Sequence, residues 1–291
     1  MRIALRIEVN SLRGLREGVP SLMRLFNKFQ VRASFFFPMG PDDAGRWPLQ
    51  TWRRRRAYGA VSLLRGTVMR GPDLAEAGRD LIAAAVANGH EVGMFGVSPH
   101  AWRARLAHAD ETWTRTQYRR MLEAFQATGS ALPAPLATPG WQSNPYLVDQ
   151  LTLERVNFSS CTRGRYPFLP VSQGRRTRVP EIPTTLPTVD ELLRSDGVSE
   201  DNAHEFLYAE SRRVLPAGHV YTLRAEREGL ELLPLMEKLL VMWKGQAGSV
   251  RALGDVLREI NLDTLPAHRV GWGTPEGADE AMAMQSIQVP A

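Results

Sequence analysis

An α/β fold, with βα units arranged around a parallel sheet or barrel, is what this sequence predicts, and three observations carry the prediction. Short β-rich runs alternate with helical patterns along most of the chain, as expected of parallel strands joined by crossover helices. The 291 residues with 43% hydrophobic content suffice for one barrel-sized core. No linker divides the chain and no internal repeat is visible, though by length one domain of barrel size is as open as two smaller ones.

Taken in order, strands are expected at Ile3 to Val9, Ala33 to Phe37, Glu91 to Phe95, Pro135 to Thr138, Asn157 to Cys161, Glu181 to Thr185 and Val220 to Arg224. Helices are expected at Glu17 to Phe29, Asp73 to Ala87, Glu111 to Thr128, Pro145 to Glu154, Asp201 to Leu215, Glu231 to Trp243 and Ser249 to Ile260. Asp73 and Ser249 suit helix N-caps. Gly89 and Gly129 sit where helix ends favour a left-handed residue. From about Pro266 the chain is rich in Gly, Pro, Ala and Met without periodicity, which suggests that residues 266–291 form an extended or poorly ordered tail behind a barrel over residues 1–265.

In the first strand, Glu8 and Asn10 flank Val9 and so point to the same side of an extended chain. A carboxylate can serve as a base or a metal ligand. The amide of Asn10 brings a metal no negative charge and takes no proton near neutral pH.

The formal charge of +5 permits an anionic partner, such as a phospholipid surface or nucleic acid, without choosing between them. A single cysteine, Cys161, excludes an intramolecular disulfide framework and suits a reducing compartment. The N-terminus lacks the apolar run of a signal peptide, and no stretch of ~18 apolar residues could span a bilayer. A cytoplasmic protein, either free in the cytosol or peripheral on the inner face of a membrane, is therefore expected.

Several stretches, in order and spacing, resemble the polysaccharide deacetylase (NodB-homology) family. They are Leu5 to Asn10 with Arg13-Gly14 and Arg16 to Pro20, Ala33 to Phe37 before Gly40-Pro41-Asp42, His90 to Gly93, and His100-Ala101-Trp102. Further along come Gly140-Trp141, Arg163-Gly164 with Pro167-Phe168, Ile182 to Thr188, and Val220 to Thr222 with Ala225-Glu226. Within that family the chain is most similar to deformylases of 4-deoxy-4-formamido-arabinose-phosphoundecaprenol. The resemblance implies a distorted (β/α)7 barrel, with the site at the C-terminal ends of the strands. It also implies a divalent metal such as Zn, Co or Mn, held by an aspartate and two histidines, an aspartate as general base and a histidine as general acid.

At those positions this sequence departs from the pattern. Glu8 stands for the general base, Asn10 for the metal-binding aspartate, and Phe95 and Pro99 for the two metal-binding histidines. Phenyl and pyrrolidine offer no lone pair, so the family metal is not expected to bind. Gln142 replaces an arginine that orients the base, Cys161 an aspartate, and Arg224 the general acid. An arginine stays protonated and cannot relay a proton as a histidine does. The resemblance thus implies a pseudoenzyme of lipid A or envelope glycan modification, with Glu8 as a residual base, Arg224 at the general-acid position, and Asn10, Arg13, His100, Trp102, Trp141, Gln142 and Arg163 as substrate-binding residues. Its expected partners are a polyprenyl-phosphate sugar or an active deformylase-like homologue. An active amide hydrolase using Glu8 with a non-standard site is the alternative. Glu8 can equally be a barrel residue paired with Arg224 or Arg13, His100 a hydrogen-bonding loop residue, and Cys161 inert packing.

Residues 41–72 form a basic aromatic insert. From Arg46 to Arg70 there are seven arginines and no acidic residue, interleaved with Trp47, Trp52 and aliphatic side chains. Trp47, Trp52 and Arg53, Arg54, Arg55 and Arg56 suit the interface of an anionic membrane, although a solvated arginine-rich helix pair would share the pattern. Nucleic acid is not expected, because the apolar side chains are many and no binding module is present.

Overall fold

The computed structural model describes residues 1–47, 60–151, 155–245 and 248–290. Among them the strands are β1 (Arg2–Glu8), β2 (Ser34–Phe37), β3 (Glu91–Met94), β4 (Ala134–Ala137), β5 (Val156–Ser160) and β6 (Leu169–Ser172). They continue with β7 (Arg175–Arg176), β8 (His219–Arg224), β9 (Ser249–Arg251), β10 (Ala267–Gly273) and β11 (Met282–Val289).

β1 lies beside the edge strand β8 in a seven-stranded parallel sheet of order β5-β4-β3-β2-β1-β8, with β9 also paired to β1. Its alternation explains why both faces are buried. Ile3, Leu5 and Ile7 join the larger apolar cluster beneath the helices, with Phe26, Phe35 and Leu239. Ala4 turns the other way, into a smaller cluster with Phe36, Phe95, Phe158 and Val220, which fills the concave interior. That interior also receives Arg6 and Glu8, so a strand that reads as a hydrophobic core element carries an ion pair on its inward face.

The sheet is an open half-barrel whose edges, β5 and β8, are joined by residues 180–186. Ser159 donates to the carbonyl of Pro180, Ile182 to that of Ser159, and Thr185 and Leu186 both to that of Val220. This is the stretch expected to form a strand at Glu181 to Thr185. It makes only isolated bridges, because Pro180, Pro183 and Pro187 interrupt the donors a ladder requires.

The helices largely follow their capping chemistry. Asp73 accepts from the backbone of Ala75 and Glu76 at 2.9 and 3.1 Å, Asp110 caps Glu111–Ala127, and Gly89 and Gly129 are left-handed. Ser98 caps Pro99–Arg105, a helix not expected from the sequence. Ser249 is a correction. It starts β9, which pairs with β1 at Arg2, and the helix begins later, at Leu253.

Residues 266–290 are a second correction. They form an ordered hairpin, not a poorly ordered tail: β10 pairs antiparallel with β11 and parallel with β6, in a four-stranded sheet beside the barrel. Gly271 and Gly273 face Ser286 and Met284 closely enough that a Cβ on either would be crowded, which accounts for glycine in a strand here.

Of the insert, residues 41–47 and 60–72 are described. Buried Asp42 anchors its base, accepting from the backbone of Leu12 at 3.2 Å and pairing with Arg65 at 2.7 Å. Trp47 is half-buried under the Arg105 guanidinium, 5.7 Å from the ring centroid. Trp52 and Arg53 to Arg56 lie outside the described residues. Val61, Leu64, Val68 and Met69 are exposed.

Candidate functional site at the barrel mouth

The C-terminal ends of β1 and β8 place Glu8 and Arg224 side by side, as register partners in adjacent parallel strands. Their side chains do not meet closely: Arg224 Nε lies 4.0 Å from Glu8 Oε2, and its guanidinium pairs instead with Asp190. Arg13 turns away as well, to Glu17 at 3.2 Å.

The partner of Glu8 is Arg6, two residues earlier on the same face. Arg6 NH1 donates to Glu8 Oε1 at 2.5 Å, with side chains 0% and 4% exposed. The guanidinium also reaches Thr222 Oγ1 and the Thr138 carbonyl at 3.3 and 3.4 Å. Around it stand the rings of Phe36, Phe95 and Trp141, at 5.6, 5.9 and 5.3 Å. A buried carboxylate needs a close cation, and aromatic faces favour one, so each member explains the others. The alternation that groups Glu8 with Asn10 extends one step back to Arg6; that was the available signal.

Asn10 is held by Glu226. Its backbone N–H donates to Glu226 Oε1 at 2.8 Å, the Ser11 hydroxyl donates to the same oxygen at 2.9 Å, and the Asn10 side-chain amide donates to Oε2 at 3.4 Å. Burial raises the pKa of Glu226, and these hydrogen bonds oppose the rise. Gly14 lies against the same carboxylate, where a Cβ would come within 2.0 Å of Oε1. Asn10 thus anchors the loop after β1.

Trp141 adopts a left-handed backbone at φ 52°, and its indole donates to Thr184 Oγ1 at 3.0 Å. Its ring contacts two guanidiniums, those of Arg6 and, at 4.9 Å, Arg163. Arg163 grips both oxygens of Glu191 at 2.8 and 3.0 Å and the Leu186 carbonyl at 3.0 Å. Glu191 also closes a capping box with Thr188, whose Thr-x-x-Glu spacing is visible in the sequence. Gln142 donates to the carbonyls of Gly140 and Ala281.

Trp102 is a correction: it is fully buried against Gly96 and beside Trp113, and serves packing. His100 is also buried, on the same helix. Cys161 is buried with its thiol pKa pushed up, first by burial and then by the Glu181 charge, as expected of an inert thiol.

The residues at the positions that the family resemblance assigns to metal binding make other contacts. Asn10 is engaged with Glu226, Phe95 lies against Arg6, Pro99 opens a helix, and a guanidinium already sits on Glu8. Among the described residues no three His, Cys, Asp or Glu side chains are grouped to hold an ion.

Above this interior lies a cavity of about 30 Å³, lined by Gly140, Trp141, Asp190, Arg224, residues 278–280 of the β10–β11 connection and Met282 at the start of β11. It has room for about one water. Two rim arginines reach that connection: Arg103 pairs with Glu280, and Arg194 with Asp279 at 2.5 Å. These rim partners come from distant segments and carry no local sequence signal.

No family model matches the chain. A protein of Shewanella sediminis (strain HAW-EB3), named a probable 4-deoxy-4-formamido-L-arabinose-phosphoundecaprenol deformylase ArnD, is 31% identical over 256 residues, 84% of this chain and 81% of its own. A protein of the same name from Wigglesworthia glossinidia brevipalpis is 26% identical, covering 94% and 98%. In fold, the chain resembles a protein assigned as a polysaccharide deacetylase in Mycobacterium smegmatis, at a TM-score of 0.63 and 15% identity over 91% of each chain.

Proposed function

The chain belongs to the family of 4-deoxy-4-formamido-L-arabinose-phosphoundecaprenol deformylases, with the fold of polysaccharide deacetylases, and from that premise we propose that it binds a polyprenyl-phosphate sugar without hydrolysing it. The observation that carries the reading is the Arg6 guanidinium 2.5 Å from Glu8. A general base must offer lone pairs to water or substrate, and a buried cation already takes up one of the two oxygens of Glu8. Arg6 has no lone pair and stays protonated, so it neither coordinates a metal nor exchanges a proton near neutral pH. Arg224, tied to Asp190, is likewise a fixed positive charge at the mouth and not an acid that can be spent and recovered.

Binding falls to the mouth residues. Arg103, Arg194 and Arg224 supply positive charge for a phosphate ester, and Asp190 with the backbone of Gly140 supplies acceptors for sugar hydroxyls. Val61, Leu64, Val68 and Met69, exposed beside Arg46 and Arg70, support peripheral attachment to an anionic membrane. No described helix is long and apolar enough to cross one.

The test pairs two measurements on purified protein: calorimetric binding of farnesyl phosphate, and formate release from the formamido-arabinose phospholipid with Zn²⁺, Co²⁺ or Mn²⁺ supplied. Saturable binding without formate is expected. Formate release that disappears in Glu8→Gln would establish an active hydrolase in its place. Flotation with anionic liposomes, reduced by Val68→Asp with Met69→Asp, tests the membrane contact.

A further inference from the structure

The carboxylates on the β10–β11 connection lie where a ligand's anion is expected. Residues 274–281 cross the mouth as a strap, and its two adjacent acids reach guanidiniums on separate elements. Glu280 pairs with Arg103, on the helix Pro99–Arg105, and Asp279 pairs with Arg194, just after the helix Val189–Leu192. Three further contacts hold the strap down. Arg194 donates to the Gly277 carbonyl, and Gln142 to that of Ala281 at 3.0 Å. Gly277, at φ +73°, packs so closely that a Cβ there would lie 2.2 Å from the Glu191 carbonyl oxygen.

We propose that Arg103 and Arg194 are a phosphate-binding pair, occupied in this structure by Glu280 and Asp279 as internal mimics that a phosphate ester must displace. This rests on the binding reading above. A guanidinium recognises carboxylate and phosphate through the same fork of N–H donors, so the strap's acids and the ligand's phosphate compete for one chemistry. The pairs suit exchange, because their side chains are only partly buried: 16% and 34% exposed for Arg103 and Glu280, 43% and 44% for Arg194 and Asp279. The space beneath, about 30 Å³, admits about one water, so a sugar ring enters only when the strap lifts.

The test uses the full chain with two probes, farnesyl phosphate and inorganic phosphate, each read by calorimetry and by hydrogen exchange of residues 275–282. Asp279→Asn with Glu280→Gln removes the competitor and should tighten farnesyl phosphate about tenfold. Arg103→Gln with Arg194→Gln should weaken it by a similar factor. Exchange in the strap should rise when wild-type protein is saturated. If inorganic phosphate produces both effects at comparable concentration, the site reads phosphate alone; if only the prenyl ester does, the lipid contributes. Binding that leaves strap exchange unchanged and gains nothing from the neutralised strap overturns the inference while the binding reading stands. Absence of binding in both wild type and the neutralised strap overturns that reading and the inference with it.

Discussion

Two sets of ion pairs lie within one short stretch of the barrel axis and differ in what surrounds them. Arg6 and Glu8 are enclosed by Phe36, Phe95 and Trp141 and are almost completely buried. Arg103–Glu280 and Arg194–Asp279, at the rim, remain partly in water. In the interior, losing one partner strands a charge in a poorly solvated space, whereas at the rim water replaces what is lost. The interior pair is therefore committed to structure, and the rim pairs are available for exchange.

The largest expected effect follows from burial. Glu8→Ala should destabilise the fold by ~3–5 kcal/mol in urea denaturation, because Arg6 keeps its charge with no carboxylate beside it. Arg6→Met combined with Glu8→Leu should recover most of that loss. A cost below ~1 kcal/mol for Glu8→Ala would erase the contrast with the rim.

Next in size is Gly277→Ala. A side chain at a left-handed φ, placed 2.2 Å from the Glu191 carbonyl oxygen, should lift the strap at a cost of ~1–3 kcal/mol. Faster hydrogen exchange confined to the β10–β11 connection is the expected reading, with β1 unchanged.

A pH dependence comes from outside both regions. Burial lowers the pKa of His90 to about 4, among Phe26 and Phe35. The unfolded chain takes up this proton near pH 6.5 and the folded chain only near 4, so the stability His90 provides as a neutral ring is lost as pH falls through that window. His219, also lowered by burial, acts in the same direction. The slope of stability against pH between 6.5 and 4 should be shallower in His90→Phe than in wild type. An unchanged slope would count against a buried neutral imidazole.

The smallest effect belongs to the rim. Arg194→Gln should change global stability by less than ~1 kcal/mol while altering ligand affinity, and a larger stability loss would move that pair to the interior class.

The barrel was legible because its signals are local: alternation in β1, Asp73 and Asp110 before helical runs, and glycines at helix ends. Part of the site was legible for the same reason, since Arg6, Glu8 and Asn10 share one face of one strand. The alternative of Glu8 as a barrel residue paired with Arg224 or Arg13 is met in part: the strands of Glu8 and Arg224 are in register, but Asp190 is nearer to Arg224 and Arg6 nearer to Glu8. The strap was hidden because the strands on either side of it pair with each other and, through β10, with β6, about a hundred residues earlier. Its ion pairs join residues with no shared local pattern. Where chemistry is set by packing between remote segments, sequence alone gives the elements and leaves the contacts open.

The most direct test of Arg6 as the cation of this site is titration of the purified protein with Co²⁺, followed by its visible absorption. No saturable band is expected, in wild type or in Glu8→Gln. One Co²⁺ bound per chain, with a band that disappears in Glu8→Gln, would show that the guanidinium yields to a metal and would contradict the reading of a fixed, non-hydrolytic interior.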